Sequence, residues 1–346
     1  MGRKNSDKHL LIIRLSAMGD VAMSVFAVRA LRARYPDLRI SILTRELFQP
    51  LFDGLDVEFI PLDLKGRHHG VRGIWRLSRE IARLGVNYVV DLHSVLRTAL
   101  LRTMLSLQFI PSVKLRKDRF GKWMRMDGGC KEVTQPLKHT VIRYCDTIRR
   151  GGFEIENPPA STKVERANPM PFVKASGATW IGVAPFSAHE GKCYPKPLVT
   201  EVVAKLSKRY DHIFIHTGGG EELEYAKSLE SAYPNVSTVF KRVSLREEID
   251  LISNLDCLIS MDSFAMHVGS LVATPVVSIW GATHPALGFS CYGQGEDGVV
   301  QLQMDCRPCS TYGNKSCRFE NYPCLTNIPP EEVLTKVEEL LTNKSR

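Results

Sequence analysis

The chain has little that would carry it into or across a membrane. After a polar, basic start over residues 1–8, only residues 10–13 are continuously apolar, fewer than a secretory segment or a bilayer span requires. A cytoplasmic protein is expected. With no export signal, the nine cysteines point to reduced thiols or metal ligands rather than a disulfide framework. Also missing are an internal repeat, a low-complexity tract, a G-x-G-x-x-G fingerprint after the first apolar run and a Tyr-x-x-x-Lys pair. The last two absences argue against a nucleotide-dependent oxidoreductase or epimerase. Acid is scarce in one half only: residues 1–155 carry 28 Lys+Arg against 15 Asp+Glu, whereas residues 156–346 carry 18 against 22, so the halves are +13 and −4.

The 346 residues are 44% hydrophobic and 24% charged, enough for two soluble domains with full cores. Strand-like apolar runs at 10–14, 39–43, 57–61 and 88–92 alternate with helices that begin near Asp20, Arg45 and Val71. Residues 157–173 hold four prolines with little periodicity and read as a linker. The alternation then restarts with strands at 180–184, 212–216, 257–260 and 276–280 and helices beginning near Lys196, Gly220, Ser244 and Ser263. Such alternation predicts an α/β protein of two Rossmann-like, doubly wound parallel-sheet domains facing a central cleft. The expected division is 1–156, a linker over 157–175, and 176–346. A last helix over 330–341 closes the chain and is free to pack back on the first domain.

The richest stretch lies where the first strand meets the first helix, Arg14-Leu-Ser16-Ala-Met18-Gly19-Asp20. A carboxylate at a helix start keeps its charge, because unpaired N–H groups and the positive dipole end favour it. The plain alternative is that Asp20 caps the helix. In the second half Asp262-Ser263 leads from a strand into a helix, a start whose free N–H groups suit phosphate, with the Ser263 hydroxyl beside them. Trp280-Gly-Ala-Thr283 and His216-Thr-Gly218-Gly-Gly-Glu-Glu222 supply further loops at the same sheet edge. The fourth loop, from Ala184 through Ser187 to Gly191-Lys192, offers a cation to a pyrophosphate. Alone, Lys192 reads as a surface lysine. Between Arg97 and Lys131 nine basic residues face only Asp118 and Asp127, interleaved with Phe109, Phe120, Trp123 and Met124. That mixture suits an anionic lipid surface or a phosphorylated, partly apolar substrate better than nucleic acid. Cys306, Cys309, Cys317 and Cys324 have partial zinc-ligand spacing; a structural zinc site and a structural loop near the donor site are both open readings.

Taken together, Ser16-Ala-Met-Gly-Asp20, Asp91-Leu-His93-Ser-Val-Leu-Arg97, His139-Thr-Val-Ile-Arg143-Tyr, Gly191-Lys192, Met261-Asp262-Ser263, His267-Val-Gly269, Trp280-Gly-Ala-Thr283 and Pro285 resemble the heptosyltransferases of glycosyltransferase family 9 over nearly the whole chain. The resemblance implies a GT-B fold, with the acceptor on the first domain and the nucleotide sugar on the second. It implies inverting, metal-independent transfer of heptose from ADP-heptose to the lipopolysaccharide inner core, with no cofactor. Asp20 would be the general base and Lys192 the pyrophosphate cation. Donor contacts would come from Ser187, Lys192, Gly218, Glu222, Asp262, Ser263, Phe264 and His267. Acceptor contacts would come from Ser16, Met18, Gly19, His93, Arg97 and Arg119. A monomer acting at the cytoplasmic face of the inner membrane is expected. A different nucleotide sugar, or a non-catalytic binder of anionic lipid or nucleotide, is the competing reading.

Overall fold

The computed structural model describes residues 8–126, 136–164, 166–168 and 171–344. The chain divides into two compact units, Met1–Asp118 with Thr140–Pro158, and Arg119–His139 with Pro159–Arg346. Each is built on one parallel sheet.

The first sheet holds β1 (His9–Ile13), β2 (Arg39–Leu43), β3 (Glu58–Phe59), β4 (Tyr88–Asp91) and β5 (Ser112–Lys114), in the order β3-β2-β1-β4-β5. β1 is central and wholly buried, which is why it reads as an uninterrupted apolar run rather than an alternating one. One face of the sheet is covered by α1 (Met18–Arg34), which packs beside α5 (Thr140–Arg150). On the other face α2 (Gly70–Arg83) and α3 (Leu96–Ser106) join Leu11, Ile13 and Val89 in one core through Ile74, Leu77, Ile81, Leu101 and Leu105.

The second sheet holds β6 (Trp180–Ala184), β7 (His212–Ile215), β8 (Val236–Thr238), β9 (Cys257–Met261), β10 (Val276–Trp280) and β11 (Val299–Gln301), in the order β11-β10-β9-β6-β7-β8. Around it lie α6 (Lys196–Leu206), α7 (Glu221–Ala232), α8 (Leu245–Asn254), α9 (Phe264–Leu271) and the short α10 (Pro323–Thr326), while α4 (Arg119–Trp123) is contributed by the segment that leaves the first unit. The closing α11 (Pro330–Lys344) is longer than its apolar pattern suggested. It packs on α6 and β9–β11, and Val333, Leu334 and Val337 enter the core of the second unit.

Two further expectations change. The strand over 57–61 narrows to the two residues of β3, at the sheet edge where a single neighbour supplies hydrogen bonds. The helix near Arg45 is a 3₁₀ segment, Glu46–Phe52, with Pro50 inside it; the missing proline N–H breaks an α-helical ladder.

Candidate active site

In each sheet the strand order reverses beside its first strand, between β1 and β4 and between β6 and β9. Loops leaving the carboxyl ends of such neighbours diverge, and the crevice they leave is where doubly wound folds bind ligands.

In the first unit, β1 is followed directly by Arg14, whose buried guanidinium donates to the Leu92 carbonyl after β4 (2.6 Å), pairs with Asp20 and lies over the Tyr144 ring. Asp20 does not cap α1. The N-cap is Ala17, and Asp20 sits in the first turn with its carboxylate partly exposed. Tyr144 on α5 donates its hydroxyl to Asp20 Oδ1 (3.3 Å), and burial holds that phenol strongly in its neutral form. Asp91 at the end of β4 is fully buried; it accepts from the backbone N–H groups of His93 (2.9 Å) and Ser94 (2.8 Å) and pairs with Arg102 (2.9 Å). His93 Nε2 lies 3.4 Å from Ser16 Oγ, and burial together with the Arg14 charge lowers its pKa to about 4, so the ring is neutral near pH 7.

In the second unit the loops after β6, β9 and β10 converge on Asp262. Its carboxylate pairs with Lys192 (3.2 Å) and accepts from the Thr283 hydroxyl (2.9 Å), while its carbonyl accepts from Ser187 Oγ (3.0 Å). Lys192 is only 14% exposed, far from a surface lysine. The loops are tied through their backbones: Ala282 N–H donates to the Gly191 carbonyl (2.7 Å), and a Cβ on Gly191 would stand 2.9 Å from Ala282 Cβ and from the Gly313 carbonyl. Buried Arg307 clamps the β10 loop, donating to the carbonyls of Gly281 (2.5 Å), Trp280 (3.1 Å) and Thr283 (3.0 Å). Glu222 accepts from the Gly218 N–H (2.9 Å), and its charge, after burial, helps raise the pKa of Cys193 beside Lys192.

With the fold and these clusters in place, comparison with known proteins is decisive on one point. The family model for glycosyltransferase family 9 (heptosyltransferase) matches residues 74–322. The chain belongs to glycosyltransferase family 9. It is therefore a glycosyltransferase. It is similar to the lipopolysaccharide core heptosyltransferase OpsX of Haemophilus influenzae, 22% identical over 96% of this chain and 94% of that one, and to lipopolysaccharide heptosyltransferase 1 of Campylobacter coli, 24% identical over 79% and 84%. Among solved structures, E. coli ADP-heptose lipopolysaccharide heptosyltransferase II superposes with a TM-score of 0.72 at 20% identity, covering 98% of this chain and 100% of that one. E. coli heptosyltransferase WaaC with ADP gives 0.66 at 18% identity, covering 96% and 99%. The shared fold is GT-B.

In this family 9 glycosyltransferase the expected acceptor residues divide. Ser16 and His93 meet, Met18 and Gly19 form the first turn of α1, and Arg97 is exposed in the first turn of α3. The side chain of Arg119, like Lys131, lies outside the described residues. Of the expected donor residues, Ser187, Lys192 and Asp262 form one cluster and Gly218 and Glu222 another. Ser263 caps α9 by position, but its hydroxyl lies 3.1 Å from Ser260 Oγ and not on the helix N–H groups. Phe264 opens α9 and His267 is buried within it. Cys306 and Cys324 are buried and Cys309 and Cys317 half-buried; among the described residues no set of three or more His, Cys, Asp or Glu is arranged to hold a metal ion. The cysteine-bearing tail instead braces the site, since the Cys309 and Ser310 N–H groups donate to the Ala282 carbonyl (3.1 and 3.2 Å). Sequence reasoning missed Arg14, Tyr144, the Asp91–Arg102 pair and Arg307. Arg14 left a trace as a charge after an otherwise apolar run, and Asp91 and Tyr144 lie in stretches that carry the family resemblance, though neither was given a role there.

Proposed function

We propose that this glycosyltransferase moves heptose from ADP-heptose to the lipopolysaccharide inner core, with inversion and without a catalytic metal. The observation that carries the reading is the Lys192–Asp262–Thr283 cluster at the switch point of the second sheet, a largely buried cation of the kind a pyrophosphate calls for. The family relation and the names of the relatives, which include lipopolysaccharide heptosyltransferases and structures with ADP, support the choice of donor and acceptor.

On this reading the acceptor binds to the first unit and the nucleotide sugar to the second. Asp20 takes the proton of the acceptor hydroxyl as its oxygen attacks the anomeric carbon from the face opposite the pyrophosphate, and the bond from that carbon to the phosphate oxygen breaks. ADP leaves with the bond's electron pair, and Lys192 offsets the charge that grows on it. Ser187, Ser263 and neighbouring N–H groups contact the phosphates and Glu222 the ribose. The basic stretch from Arg97 to Lys131, in which Lys114, Arg116, Lys117, Phe120 and Trp123 are exposed, meets acceptor phosphates or the anionic membrane. A thermal-shift series tests the donor half: ADP should stabilise the protein more than UDP, GDP or NAD. A preference for another nucleotide overturns the assignment to ADP-heptose.

A further inference from the structure

Helix α2 carries a feature that the reaction does not use. Its inner face, Ile74, Leu77 and Ile81, belongs to the core of the first unit. Arg72, Arg76, Arg79 and Arg83 recur at intervals of four, three and four residues, and all four are exposed. At about 100° per residue they fall within an arc of about 60° centred opposite that core face. Beside this stripe Val71 is 64% and Trp75 42% exposed, with the Arg79 guanidinium over the Trp75 ring. None of the four arginines has a carboxylate partner among the described residues. The one acid of the helix, Glu80, is taken by Arg67 and His68. The result is a stripe of four uncompensated charges on a rigid helix about 20 Å long, with an aromatic and an aliphatic side chain beside it.

We propose that the outward face of α2 docks the enzyme on an anionic phospholipid surface, arginines on headgroup phosphates and Trp75 and Val71 at the level of the acyl-chain boundary. Charge complementarity selects an anionic partner. The apolar pair selects a bilayer over nucleic acid, whose phosphate backbone would leave Trp75 and Val71 in water. Tryptophan beside arginine is suited to this boundary, since its ring is amphipathic and the guanidinium stems lie along apolar surface while their heads stay wet. That this bilayer also carries the acceptor rests on the function proposed above; the docking face does not.

The test is co-sedimentation of the full chain with vesicles of phosphatidylcholine mixed with phosphatidylglycerol, against vesicles of phosphatidylcholine alone. Wild type should bind the mixed vesicles, release with rising salt, and leave the zwitterionic ones unbound. Arg72→Gln, Arg76→Gln, Arg79→Gln and Arg83→Gln together should lower partition by about 600-fold, at roughly fivefold per charge, and the corresponding four Lys changes should restore most of it. Trp75 emission should shift to the blue on mixed vesicles, read as the difference from Trp75→Phe. Full binding by the glutamine variant, or equal binding to both vesicle types, overturns the proposal. Transfer to a detergent-dispersed acceptor is measured in parallel; the glutamine variant should retain it, and its loss in wild type would refute the reaction while leaving the docking result to stand by itself.

Discussion

Asp20 and Lys192 are both ion-paired, yet their surroundings give them different work. Asp20 is held by Arg14 and Tyr144 with part of its carboxylate open to solvent, the condition for meeting a hydroxyl from outside. Asp20→Asn keeps the shape and removes the proposed base, so transfer should fall by about 10²–10⁴ while the thermal shift with ADP is unchanged. A variant with more than a third of wild-type turnover would remove Asp20 from the mechanism. Lys192→Ala should weaken ADP binding as well as rate, because in the proposed reaction its charge meets the phosphates before and during bond breaking. It also leaves the Asp262 carboxylate without its cation, so isothermal titration should show the loss directly; unaltered affinity and rate would return Lys192 to an ordinary ion pair. The partners that set up these residues were not legible beforehand. Tyr144 lies 124 positions from Asp20, and no local pattern announces a contact across that distance.

At the scale of elements, period and boundary chemistry did most of the work. The buried central strands β1, β6, β9 and β10 stand out because both faces are covered, and α8 begins where Ser244 and Glu247 form a reciprocal cap. The edge strands β5, β8 and β11 are three residues long and only partly buried, so composition hardly marks them. Helix α3 was hidden for another reason: its Leu-rich sequence mixes apolar and basic residues and was absorbed into the basic stretch. Gly269, part of the motif His267-Val-Gly269, has a packing cause. A Cβ there would lie 2.6 Å from Val276 Cγ2 and 3.1 Å from Leu258 Cδ2, so the glycine lets α9 sit close on β9 and β10. Gly269→Ala should therefore destabilise the protein by about 1–3 kcal/mol through overpacking, against the usual gain from alanine in a helix. Calorimetry checks the sign, and a higher melting temperature would show that α9 can move away without loss.

Across the whole molecule, charge placement predicts how stability answers to pH. Burial, first in every case, lowers the pKa of His9, His93, His139, His212 and His284, and arginine charge adds to it at His9, His93 and His284. His93 and His284, one in each unit, are lowered to about 4. Unfolded histidine takes up its proton near pH 6.5, so between pH 6.5 and about 4 the unfolded chain binds more protons than the native one. Stability must then fall as pH is lowered through that window and level off below it. The carboxylates act in the same direction somewhat lower. Glu58, Asp63, Glu80, Glu247 and Glu331 have lowered pKa values, so their stabilisation, present above the unfolded carboxylate range, is lost as pH drops through their native values. The melting temperature should decline continuously from pH 7 to pH 4, and the chemical-denaturation midpoint with it. His93→Gln removes one of the two most perturbed rings and should make the decline shallower between pH 6.5 and 4 without altering stability at pH 8 through any proton effect. A melting temperature constant from pH 7 to 4, or a variant whose slope matches wild type, would show that His93 takes up its proton in the native state as readily as in the unfolded chain.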